Sequence, residues 1–97
     1  RQVEGVRVRW LISEKNGATR YAMRVFEVDP GRTIPLHNHW QEQEMYVLEG
    51  TGTISDGERK WELSPNTVIF VPPDEPHEIH NTGSGVLCFI CVIPLKK

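Results

Sequence analysis

The chain has 97 residues, 38% hydrophobic and 25% charged, which excludes a disordered or fibrous protein and predicts one globular domain over residues 1–97. A formal net charge of −2 gathers neither nucleic acid nor anionic lipid, so neither is an expected partner, and Arg1, Arg7, Arg9, Lys96 and Lys97 read as solvated edges. No apolar run approaches the roughly 18 residues of a membrane span and the first residues lack a leader pattern, which makes the cytoplasm the expected location for a chain that begins at Arg1 rather than Met.

In chain order, "VRVRWLI" (6–12) and "YAMRVFEV" (21–28) are short, rich in β-branched and aromatic residues, and predict strands. "EKNGAT" and "DPGRT" after them supply turn residues. "EMYVLEG" (44–50) predicts the next strand. "GTISDGERKWEL" (52–63) predicts a hairpin, with Asp56-Gly57 at the centre of a type I′ turn. "TVIFV" (67–71) follows, then the proline-rich turn "PPDEPHEIHN" leading into another strand, and finally "GVLCFICVI" (85–93). Short strands at this spacing predict an antiparallel sandwich or barrel. Cys88 and Cys91 lie three apart on one strand and so face opposite sides. They are expected to be reduced structural thiols, sharing neither a disulfide nor a metal.

The stretch "PLHNHWQEQEMYVLEG" (35–50) carries the chemistry. In an extended chain His37 and His39 point the same way about 6.6 Å apart. Two imidazoles at that spacing converge on one ion with nitrogens about 2.1 Å from it. His77, presented by the turn that Pro72, Pro73 and Pro76 stiffen, is the candidate for a third imidazole. The spacing runs Gly31, five residues, His37, one, His39, three, Gln43, six, Gly50. The second segment runs Asn66, five residues, Pro72, one, Asp74, two, His77, three, Asn81.

These two segments resemble the cupin superfamily, whose motifs are G(X)5HXH(X)3,4E(X)6G at residues 31–50 and G(X)5PXG(X)2H(X)3N at 66–81. The resemblance implies an all-β double-stranded β-helix, the jelly-roll cupin barrel. It also implies one divalent transition metal ion per chain (Fe, Mn, Ni, Cu or Zn) on His37, His39, His77 and a fourth residue. Three positions depart from the motifs: Gln43 for Glu, and Asn66 and Asp74 for Gly. Asn and Asp best tolerate left-handed backbone, so the last two matter little for the fold.

The sequence leaves the fourth ligand open between neighbouring residues. Strand parity puts Gln43 on a face with Met45 and Val47, and Glu44 on the opposite face with Tyr46 and Leu48; this favours Gln43, with Glu44 as the alternative and Glu42 behind it. Three imidazoles and a neutral amide leave the ion its full +2 charge, which favours anionic ligands. Parity and likeness to inward cupin positions give Arg24, Phe26, Met45, Ile79, Phe89 and Cys91 as pocket wall. A buried Arg24 needs a partner and would orient a substrate carboxylate. His80 is expected to point away from the metal and Asn81 to serve a turn. The resemblance implies a dioxygenase-like oxidoreductase acting on a small molecule, with a ligand-binding or sensor module and a lyase or isomerase as alternatives, and a homodimer in which "VRVRWLI" and Trp10 contact the partner.

Overall fold

The computed structural model describes residues 3–97; Arg1 lies outside the described residues. Among these the chain forms nine strands: β1 (Val6–Ile12), β2 (Tyr21–Val28), β3 (Thr33–His37), β4 (Gln43–Glu49), β5 (Gly52–Ser55), β6 (Lys60–Leu63), β7 (Val68–Val71), β8 (His77–Asn81) and β9 (Leu87–Pro94). Two antiparallel sheets face each other, ordered β1-β2-β9-β4-β7 and β3-β8-β5-β6. This is the expected all-β jelly roll. "EKNGAT" holds a single 3-10 turn, Glu14–Asn16, capped by the Ser13 side chain.

Alternation does the sorting. Along β4 the side chains of Gln43, Met45 and Val47 are buried while those of Glu44, Tyr46 and Leu48 are exposed. β9 places Leu87, Phe89, Cys91 and Ile93 in the core by the same period of two. Phe89 stacks on Phe26 across the β2–β9 pair, centroids 5.1 Å apart. Cys88 and Cys91 are both free and buried.

Three local expectations are corrected. The hairpin at 52–63 closes through a four-residue loop, with Ser55 paired to Lys60, and only Gly57 (φ 101°) has a positive φ. A type I′ turn is displaced because the Asp56 side chain accepts from the backbone N–H of both Glu58 and Arg59, which satisfies those donors within a wider loop. The segment before the histidines, given no strand in the sequence reading, pairs as β3 with β8, with an irregularity between Ile34 and His37. β4 begins at Gln43, one residue earlier than expected.

The motif positions are conformational. Asn66 (φ 77°) and Asp74 (φ 63°) occupy left-handed backbone where the family motif has glycine. At Gly50 (φ 89°) a β-carbon would collide with the carbonyl of Val86, so β4 passes β9 only without a side chain there. Asn81 is almost fully buried and works on backbone: its amide donates to the carbonyls of Val28 and Gly85, and its oxygen accepts from the Gly83 N–H. That ties the end of β8 to the end of β2.

Candidate metal centre

β3 delivers His37, the turn after it His39, and β8 His77. Their pairing is direct, because His37 lies opposite His77 in the β3–β8 ladder. The candidate ligand atoms of the three residues all lie within 4.8 Å of one another. Exposure grades across the set: His37 is exposed, His39 half-buried and His77 buried. The site therefore opens to solvent past His37.

The tautomers are set by backbone. His37 Nδ1 lies 2.8 Å from the Pro35 carbonyl oxygen, His39 Nδ1 2.9 Å from that of Gln41, and His77 Nδ1 2.9 Å from that of Glu75. A carbonyl accepts only, so each Nδ1 carries the proton and each Nε2 keeps a lone pair. Burial lowers the pKa of both His39 and His77, which holds these rings in the neutral, ligating form. Three convergent lone pairs with fixed tautomers are a donor set suited to a divalent transition ion.

The triad faces a cavity of about 150 Å³, lined also by Arg24, Phe26, Ile34, Gln43, Met45, Ile79 and Phe89. Five of the six residues given as pocket wall thus border it; Cys91 instead lies behind Gln43, with Sγ 3.0 Å from Gln43 Oε1. Ile34 was missed because no strand was read around it. Glu44 pairs with Phe70 and Val92 and is exposed on the outer face, and Glu42 is exposed too. Neither carboxylate lines the cavity. His80 also stays out of it, its Nδ1 lying 2.6 Å from Thr33 Oγ1. A larger groove of about 440 Å³ opens between β6 and β7 but shares only His77 with the triad.

Gln43 is buried and its Nε2 lies 3.3 Å from His77 Nε2. Its Oε1 turns away from the triad, accepting from Arg24 Nη2 at 3.0 Å and from the Cys91 thiol. The Arg24 guanidinium lies 4.7 Å from the Phe26 ring centroid and 5.4 Å from that of Trp10, and its Nε is buried with no hydrogen-bond partner. A buried guanidinium N–H without a partner is costly, so Arg24 depends on its Nη2 contacts and the two rings.

The family model of the cupin domain matches residues 24–93. The chain is 36% identical over 70 residues to the oxalate-binding protein of Thermotoga maritima, covering 71% of this chain and 58% of that one. It is 35% identical over 65 residues to an uncharacterized protein of Methanocaldococcus jannaschii, covering 66% and 52%. It thus spans about half the length of these curated relatives. Among solved structures, the polyketide cyclase RemF of Streptomyces resistomycificus superposes with a TM-score of 0.88 at 35% identity, over 96% of this chain and 67% of that one.

Proposed function

The chain belongs to the cupin family, and on that premise we propose that it is a mononuclear metal-dependent oxidoreductase of the dioxygenase kind acting on a small anionic molecule. His37, His39 and His77 are the protein's metal ligands in this reading. The observation that carries it is the convergence of three backbone-fixed imidazole lone pairs on a cavity that holds one cation and no carboxylate. A divalent ion bound there supplies a Lewis acid and, if it is Fe, Mn or Cu, a route for electrons to O₂; Ni and Zn also suit nitrogen donors.

The chain's own groups fix the substrate. Arg24 sets a positive charge at the wall, which favours the carboxylate or enolate oxygen of a small molecule in the cavity. Phe26, Ile34, Met45, Ile79 and Phe89 make the rest of the wall apolar. With Glu42 and Glu44 outside, no carboxylate side chain is placed to take a proton from the substrate. That favours oxidation of a molecule that arrives already ionised over an elimination needing a protein base.

Metal analysis of protein purified without added ions, followed by oxygen uptake with Fe²⁺-, Mn²⁺- or Cu²⁺-loaded protein and a panel of enols, catechols and thiols, tests this. Near-stoichiometric metal and uptake with an anionic enol or catechol are expected. Binding of the same molecules without uptake would replace the enzyme with a ligand-binding module, a reading that the likeness to an oxalate-binding protein also supports.

The proposal extends to assembly and location. Val8 and Trp10 pair with Phe26 and Arg24 and so share the cavity face of their sheet, yet they are 45% and 54% exposed. β1 is also an unpaired edge. A second copy covering this edge buries both residues. Light scattering is expected to give twice the chain mass of 11.1 kDa; a single chain mass at micromolar concentration would refute it. A cytoplasmic location is the accompanying proposal; no helix among the described residues is long and apolar enough to cross a membrane.

A further inference from the structure

The family motif places a glutamate at position 43, where its carboxylate would add a ligand and a negative charge. Here the residue is an amide, and the question is which end of it meets the ion. The two groups behind it answer. Arg24 Nη2 and the Cys91 thiol both lie 3.0 Å from Gln43 Oε1. A guanidinium has donors and no acceptor, so only the amide oxygen can face it. Turning the amide over would set NH₂ against NH₂ at the same distance and leave Arg24 only the weak Cys91 sulfur contact of Nη2 at 3.2 Å, since its Nε has no partner.

The other end follows from the histidine tautomer. His77 Nδ1 is held by the Glu75 carbonyl, so Nε2 is an acceptor and receives the Gln43 amide N–H at 3.3 Å. An ion on His77 takes that lone pair. The Gln43 NH₂ then keeps only a long contact to Met45 Sδ at 3.9 Å, leaving one N–H free at the edge of the cavity, and Arg24 prevents the oxygen from rotating in to replace it.

Resting on the reading of the histidine triad as a metal centre, we infer that Gln43 is not a fourth ligand but a hydrogen-bond donor to an oxygen of the anion in the cavity, and that Arg24 is the positioning residue that fixes its amide. The protein shell of the ion is then three imidazoles. The amide N–H, with the Arg24 charge behind it, selects a small oxyanion, such as a carboxylate or enolate, over a neutral or cationic ligand of the same size. This revises the expectation that Gln43 completes the ligand set.

Cobalt(II) binding to the whole chain, followed by its visible bands and by titration with formate, tests the assignment without reference to turnover. The Gln43→Ala variant is expected to bind Co²⁺ within about threefold of the parent, with unchanged bands, and to bind formate about tenfold more weakly, the loss of one hydrogen bond to a charged group. The Arg24→Met variant releases the amide, so its Co²⁺ bands are expected to shift as the Gln43 oxygen joins the ion. The double variant Arg24→Met/Gln43→Ala is expected to return to the parent bands, which a packing defect at position 24 would not do. Altered bands with Co²⁺ binding at least tenfold weaker in Gln43→Ala would overturn the inference by making Gln43 a ligand. Unchanged formate affinity in that variant would overturn the donor role. A parent chain with no Co²⁺ bands at all would instead sink the metal-centre reading beneath it.

Discussion

A His77→Ala variant is expected to bind a divalent transition metal about a hundredfold more weakly, or worse, than the parent chain. Loss of a group that merely orients a ligand costs about 10- to 100-fold in affinity, so loss of the ligand itself costs at least that. His77 is also the buried member of the triad, 3% exposed, and lies opposite His37 in the ladder. Without it the remaining pair would meet the ion from one short segment only. Calorimetric titration with Zn²⁺ and metal analysis of the purified variant check this. Glu44→Gln is the control, expected to leave metal content unchanged because Glu44 lies on the outer face. Parent-like metal content in His77→Ala would dissolve the site.

The second large effect is on the fold. Gly50→Ala is expected to cost about 3 kcal/mol or more, because two penalties add. A side chain at φ 89° is strained, and its β-carbon would meet the Val86 carbonyl, part of the backbone entering β9. A flexible side chain could step aside from a β-carbon; a carbonyl next to a ladder strand moves only by breaking the pairing. Urea unfolding should show a lower midpoint with an unchanged slope. A loss below about 1 kcal/mol would mean that β4 and β9 separate here at little cost.

Much of the architecture was legible because a period of two is hard to disguise. Parity, anchored on the cupin motif's acid position seven residues before Gly50, favoured Gln43 inward and Glu44 outward, and the structure buries Gln43 and exposes Glu44. Parity and likeness to inward cupin positions together pointed to Arg24, Phe26, Met45, Ile79 and Phe89, which four separate strands bring to one cavity. What could not be read was pairing across distance. Arg24 meets Gln43 from 19 residues away and Cys91 from 67 away, and no local pattern encodes that β2 and β4 flank β9. The irregular pairing between Ile34 and His37 is similar: Pro35 interrupts the "TIPLH" run, and the partner strand β8 lies some 40 residues on. The Asp56-Gly57 turn misled because the same Asp that favours a tight turn also caps a wider one with its side chain.

The carbonyls that hold the three imidazoles belong to Pro35, Gln41 and Glu75, and each is a main-chain group. Every amino acid carries the same oxygen, so the residue types at these positions are free to drift while the rings stay aimed. Relatives of this protein can therefore preserve an unchanged site on a diverged sequence, and a search that scores side-chain identity around the histidines will underestimate how widely the arrangement is shared.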